Sequence, residues 1–300
     1  MDDPVGEAER WRRALVEGAG ELGLSVSEAE GAAYRRHFEL LLLHNPRAGL
    51  TTITDPVEIA VKHFLDSLTG LLVREIAAGA RVAEVGSGGG FPGLVLAVAR
   101  PAACYTLIEA NRKRAAFLSD LIQTLGLPQV SVIAARAEEV GQRPEHRERY
   151  DLVVSRAVAP LPVLLEYCLP LARVGGEALA YKGREVEAEI GESAAALAKL
   201  GGRIAKLRRL SLPQDMGERV LVLVEKLWPT PPPYPRRPGA ARRRPLGGRE
   251  RRQPGGRGSE GAHGDRAGGK RLGLADRRPG PRSGPRGSCP TINDDQWEAM

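Results

Sequence analysis

The chain has 300 residues, 42% of them apolar but only 4% aromatic, so it can bury a sizeable core and that core must be aliphatic. No run approaches 18 apolar residues, and the N-terminus is acidic with no apolar stretch behind it, which excludes a membrane span and a secretory signal and makes a cytoplasmic protein the expectation. The net charge of +7 is unevenly placed: residues 229–300 hold 16 Lys and Arg against 7 Asp and Glu, while residues 1–228 hold 28 against 30, so a nucleic-acid argument from charge alone would rest on the tail.

Taken in order, residues 7–19 carry Trp11, Leu15 and Val16, and residues 28–44 carry Tyr34, Phe38, Leu41 and Leu42, at helical spacings. Ser27 with Glu30 three residues on makes a capping box for the second helix. A polar turn from Leu50 to Pro56 leads into a third helix over 57–72, where Lys62, His63, Asp66 and Ser67 share or border a face. Residues 1–72 therefore read as an N-terminal helical extension. Two duties, packing across the edge of a sheet and covering the substrate face, are equally open to it. His63 has no second histidine or cysteine beside it, so no metal site is expected. The widely spaced Cys104, Cys168 and Cys289 give neither a disulfide framework nor a zinc spacing.

Residues 73–228 alternate strands and helices. The most informative stretch is Val85-Gly86-Ser87-Gly88-Gly89-Gly90-Phe91-Pro92-Gly93, set between the apolar run ending at Val85 and the helix Leu94 to Ala99. Glycines let a ligand approach the main chain, and the first N–H groups of the next helix are left unpaired beside them. The glycines alone fit both NAD and S-adenosylmethionine, because Gly88 to Gly93 matches the dinucleotide pattern G-x-G-x-x-G. Glu84, two residues before the first glycine, favours S-adenosylmethionine: an acid there repels a pyrophosphate and attracts a cationic amino acid. Strands follow at 105–109, 130–134, 151–155, 177–181, 204–210 and 219–225, with helices at 112–125, 161–171 and 188–200. Helices between strands predict a parallel sheet covered on both faces. The last two strands have no helix between them, which predicts an antiparallel seventh strand and the α/β, Rossmann-like fold of class I methyltransferases.

Open α/β sheets bind ligands at the carboxyl ends of their strands. The first strand delivers Glu84 and the loop Gly86, Ser87 and Gly88; the second ends in Glu109, spaced to accept ribose hydroxyls. The Ala137 amide and Glu138 carboxylate follow the third, at a place suited to an adenine edge. The fourth ends in Ser155-Arg156-Ala157-Val158 and the fifth in Lys182. The fourth lacks the Asn/Asp-Pro-Pro-aromatic run of amine methyltransferases, and Cys168 lies in an apolar helix pattern rather than at a nucleophile's position. What remains is an acceptor with its own lone pair, such as guanine N7. Arg156 and Lys182 would orient the base through O6 and hold phosphates; the competing reading pairs them with Glu109 or Glu138. Beyond 228 the Pro-rich stretch 229–246 predicts an extended basic arm, and residues 247–300, rich in Gly, Pro and Arg, predict a disordered tail.

Six motifs carry a resemblance: Ile53-Thr54-Asp55-Pro56, Lys62-His63-Phe64-Leu65-Asp66-Ser67-Leu68, the loop Val85 to Gly93, Asn111-Arg112-Lys113-Arg114, Ser155 to Leu161, and Tyr234-Pro235-Arg236-Arg237-Pro238-Gly239. Together they resemble the bacterial small-subunit rRNA guanine-N7 methyltransferase family, RsmG or GidB. The resemblance implies S-adenosylmethionine contacts at Gly86, Phe91, Ala137, Glu138 and Arg156, with Glu109 on the ribose. It implies RNA-facing Arg112, Lys113, Arg114, Arg236 and Arg237, and 16S rRNA, the 30S subunit or its assembly intermediate as partner, with a monomer the expected state. Two departures stand out. Gly49 replaces the family's usual Asn, and His44 or a neighbour replaces a Trp. Family members also usually end near Leu246, so residues 247–300 are an addition compatible with a basic RNA tether or a reading-frame artefact.

Overall fold

The structure, a computed structural model, describes residues 4–247. The expected tail from 248 onward lies outside the described residues. Seven strands, β1 (Arg81–Val85), β2 (Cys104–Ile108), β3 (Val130–Ile133), β4 (Tyr150–Arg156), β5 (Ala172–Lys182), β6 (Gly202–Ser211) and β7 (Glu218–Lys226), form one sheet in the order β3-β2-β1-β4-β5-β7-β6. β1 to β5 pair in parallel, and β7 is antiparallel to both β5 and β6. This is the class I methyltransferase arrangement. Strand order reverses between β1 and β4, which opens a crevice at their carboxyl ends.

Eleven α-helical segments accompany the sheet among the described residues: α1 (Pro4–Glu21), α2 (Glu28–Ala48), α3 (Pro56–Ile59), α4 (Asp66–Leu68), α5 (Gly93–Ala99), α6 (Arg112–Leu125), α7 (Ala137–Val140), α8 (Leu161–Cys168), α9 (Glu187–Glu192), α10 (Ala194–Leu200) and α11 (Ala240–Arg243). The single helix expected over 57–72 is composite: a π-helical turn, Ala60–Leu65, separates α3 from α4, and a 3₁₀ turn, Thr69–Leu72, ends it. The helix expected over 188–200 is broken at Ser193. β5 begins five residues earlier than the sequence pattern suggests. Gly175, at φ 77°, and Gly176 carry the chain through an irregularity in the pairing with β4, where a side chain on Gly176 would meet the Tyr150 and Asp151 carbonyls.

Apolar alternation along the strands sorts the core into two layers. Val82, Val154, Tyr105 and Leu179 join the layer under α1, α2, α5 and α6; Ala83, Val85, Val153 and Ala178 join the layer under α8 and α10. The N-terminal helices thus pack on the α5 face. Trp11 stacks on Phe38 with ring centroids 5.2 Å apart, and the Tyr34 hydroxyl donates to Val95 O at 3.0 Å. The predicted capping box is present: Ser27 N donates to Glu30 Oε2 at 2.7 Å and Glu30 N to Ser27 Oγ at 3.3 Å. Gly49 caps α2 at φ 59°, a left-handed position that Asn also tolerates. Among the described residues, no helix is long and apolar enough to cross a membrane.

Candidate functional site

The glycine loop is fixed from its own backbone. Gly86, at φ 77°, donates its N–H to Ile108 O at 2.8 Å, and a Cβ there would overlap Val158 Cγ2. Gly88, at φ 54°, donates to Glu109 Oε2 at 2.9 Å, and a Cβ there would meet nothing within 4 Å. The loop's open side is therefore at Gly88. Glu109 Oε1 accepts from Asn111 N at 2.7 Å, so one carboxylate ties the loop to the start of α6, and each oxygen keeps a lone pair.

Glu84 sits differently from its expected place beside the loop. Strand alternation puts it on the face of Val82, beneath α5, where it is 1% exposed and its Oε1 accepts from Gly93 N at 3.1 Å. Burial raises its pKa to about 7, against the opposing pull of the Ser87 hydroxyl and the Gly93 amide. Ser87 Oγ lies beside this carboxylate but outside hydrogen-bonding geometry. A Cβ on Gly93 would overlap Glu84 Oε2, so glycine is needed for the close approach. Glu84 thus supports the loop from behind instead of facing the crevice.

Phe91 is also turned inward. Its ring stacks on His37 at 4.6 Å and on His63 at 4.8 Å, and the residue is 6% exposed. His37, from α2, places Nε2 2.7 Å from Gly89 O, which requires the Nε2–H form to donate. Burial pushes its pKa down to about 4; burial and then the Arg156 charge push that of His63 to about 3. Sequence reasoning missed His37. Its only signal is a polar residue between Tyr34 and Phe38 on the buried side of an otherwise regular helix.

Arg156, at the end of β4, is enclosed by the π-helical turn. Nη1 donates to Lys62 O at 2.7 Å and to Asp66 Oδ2 at 3.0 Å; Nη2 lies 3.3 Å from His63 Nδ1; the guanidinium carbon is 5.4 Å from the Phe91 centroid. The extra residue of a π turn re-aims nearby groups, and such turns recur at functional sites. Asp66 is 2% exposed and also pairs with Arg219 at 3.1 Å. Lys182 donates to Ala159 O at 2.8 Å and pairs with Glu189 at 2.6 Å. Both cations expected to orient the base are thus paired, with Asp66 and Glu189 rather than with the Glu109 or Glu138 of the competing reading.

Ala137 and Glu138 open α7 at the end of β3, and both are buried. Glu138 Oε1 accepts from Gly239 N at 3.0 Å, so the segment after β7 covers this end of the crevice. The expected extended arm is instead docked. Arg147 donates to the carbonyls of Thr230 and Tyr234, at 2.7 and 2.6 Å, and Gln142 to that of Pro235 at 2.7 Å. Arg236, expected to face RNA, makes a bidentate pair with Glu166, a fully buried residue of α8, at 2.8 and 2.5 Å. Its charge is required there, because a buried carboxylate without a partner is costly. Arg237, Arg112 and Lys113 are exposed, while Arg114 reaches across to Gly49 O at 2.8 Å. Lys113 lines a cleft of about 550 Å³ between α2 and α6 together with His44, Arg47, Phe117 and Asp120.

The crevice accommodates S-adenosylmethionine on geometric grounds. Gly88 leaves open space beside the main chain, an oriented carboxylate stands at the end of β2, and the start of α7 lies beyond it. A family model described as GidB, rRNA small subunit methyltransferase G, matches residues 31–216. The ribosomal RNA small subunit methyltransferase G of Symbiobacterium thermophilum is 47% identical over 245 residues, covering 80% of this chain and 100% of that protein. The proteins of the same name from Pelotomaculum thermopropionicum and Moorella thermoacetica are 45% and 42% identical, over 77% and 78% of this chain and 97% and 98% of theirs. With a sheet of class I methyltransferase order and a crevice that fits the methyl donor, the chain belongs to the rRNA small subunit methyltransferase G family.

Proposed function

We propose that the protein methylates N7 of one guanine in 16S rRNA, on the 30S subunit or an assembly intermediate, using S-adenosylmethionine held at the β1 and β2 ends. In this reading the Gly86, Ser87 and Gly88 main chain holds the amino-acid end of the cofactor, Glu109 the ribose hydroxyls, and Ala137 with Glu138 the adenine edge. Bound there, the cofactor supplies a methyl group on a positively charged sulfur. The protein's part is alignment of the acceptor, for which roughly 7–11 kcal/mol is the ceiling with well-oriented reactants.

One observation carries the choice of acceptor. Among the described residues, the histidines and the acid behind the crevice are unsuited to taking a proton near neutral pH, and the carboxylates that line it, Glu109 and Glu138, are engaged by the amides of Gly88, Asn111 and Gly239. His63 and His37 are held at about 3 and 4, and Glu84 at about 7 is walled behind α5. An exocyclic amine or a hydroxyl needs a base; the N7 lone pair does not. Lys113 and Arg47 at the α2–α6 cleft, with the exposed Arg112 at the start of α6 and Arg237 on the docked segment, supply the positive charge that phosphates require. Lys182 serves the reaction by holding the turn after β4, and Arg156 by fixing the end of β4 to the π-helical turn.

Purified protein incubated with methyl-labelled S-adenosylmethionine and 30S subunits from cells lacking the modification tests this. Label should enter 16S rRNA and vanish with ribonuclease. Label in protein or in a small molecule, unaffected by ribonuclease, would replace the reading with a different substrate class.

A further inference from the structure

The docked segment reaches the crevice at two points within four residues. Gly239 N holds Glu138 Oε1 at 3.0 Å, and Arg242 Nη2 holds Val158 O at 2.9 Å, while the Tyr167 phenol lies beside the same guanidinium. These contacts are backed by a firm anchorage. Arg236 is pinned by Glu166, Ala241 is 1% exposed within the second core layer, and Pro235 packs so closely on Gly141, just after α7, that a Cβ there would lie 2.9 Å from its Cγ.

The point touched by Arg242 is a strained one. Ala157 stands at φ 57°, a left-handed conformation that costs a non-glycine residue about 1–2 kcal/mol. The two carbonyls after it are each held by a cation, Val158 O by Arg242 and Ala159 O by Lys182. Val158 is also the side chain that packs over Gly86. The turn after β4 therefore keeps its shape, and the glycine loop its cover, through a residue that lies 84 positions away in sequence.

We propose that Arg242 and Gly239 are positioning residues for the cofactor crevice: the docked segment holds Glu138 and the turn after β4 in the arrangement that binds S-adenosylmethionine, so Arg242 serves the cofactor and not the RNA. The inference rests on the assignment of the crevice to S-adenosylmethionine.

Calorimetric titration of S-adenosylmethionine into the full chain without RNA tests it, with Arg242→Ala, Arg242→Lys and, as a charge-matched control, Arg243→Ala. Arg242→Ala should weaken binding about three- to tenfold, the loss of one charge-assisted hydrogen bond at an exposed site. Arg242→Lys should recover most of it, and Arg243→Ala should bind as wild type. Melting temperatures should agree within about 2 °C, which separates positioning from general destabilisation. Unchanged cofactor affinity in Arg242→Ala, with a salt slope of rRNA binding smaller by about one, would make Arg242 an RNA contact and overturn the proposal. If the wild-type protein itself failed to bind S-adenosylmethionine, the assignment of the crevice would fall and the proposal with it. Wild-type binding that Arg242→Ala leaves intact would sink the proposal alone.

Discussion

The two turns that meet across the crevice reach similar backbone conformations by opposite means. After β1, positive φ angles fall on Gly86, Gly88 and Gly90, residues with no Cβ to strain. After β4, the positive φ falls on Ala157, and its strain is offset by side chains from β5 and from the docked segment. The first turn is specified locally and the second by the rest of the fold. Substitutions in the first should therefore act where they are made, and those around the second should act at a distance.

The largest effect is expected at Arg156, which joins the second turn to the N-terminal helices. Arg156→Ala removes the guanidinium donor to Lys62 O and leaves Asp66 with Arg219 as its ion-pair partner. A loss of about 3 kcal/mol in unfolding free energy is expected, with little methyl transfer remaining, read by urea denaturation and a labelled-methyl assay.

Next in size is the acid response of the histidines behind the first turn. His37 titrates at about 4 in the folded protein against 6.5 unfolded, so it is neutral in both states above 6.5 and costs stability only as pH falls below that. The loss should reach on the order of 3 kcal/mol by pH 4, with a slope of about 1.4 kcal/mol per pH unit. Glu84 has the opposite sign. Its folded pKa of about 7 lies above the unfolded 4.5, so its contribution is complete below 4.5 and is lost as pH rises through 7. Denaturation of His37→Gln between pH 6.5 and 4.5 should show a shallower slope by about one histidine. An unchanged slope would mean that His37 is not buried in its neutral form.

The contrast between the turns is sharpest in a paired substitution. Gly86→Ala should cost about 2–3 kcal/mol, combining a left-handed alanine with the Val158 overlap, and should abolish measurable S-adenosylmethionine binding. Ala157→Gly should instead gain about 0.5–1 kcal/mol, because glycine relieves the same conformation. Equal losses at both positions would show that the second turn is not strained and that its cationic partners are incidental.

The same contrast explains what the sequence discloses. The β1 loop, the strand alternation and the unbroken pair of final strands are local patterns, and the sheet order and crevice follow from them. The place of Glu109 beside the loop, where it accepts from Gly88 N, is legible because its spacing from the loop is short and regular. Glu84 was placed at the right strand end but on the wrong side of it: counting alternation from Val82 would have put it under α5. The π-helical turn leaves no trace in the pattern of Val57 to Leu72, because one inserted residue hardly changes an amphipathic repeat. Arg236 read as an RNA contact because its partner, Glu166, is a single acid in an apolar helix 70 residues upstream. The docking of residues 229–247 is equally non-local: the prolines of 229–238 exclude a central strand, yet say nothing about the Arg147 and Gln142 side chains that donate to the segment's carbonyls.

The central claim, methylation of a guanine N7 in 16S rRNA, is tested most directly by mass mapping of N7-methylguanine in 16S rRNA from cells with and without this protein. One N7-methylguanine present only when the protein is present is the result expected. Identical methylation maps in the two strains would contradict it.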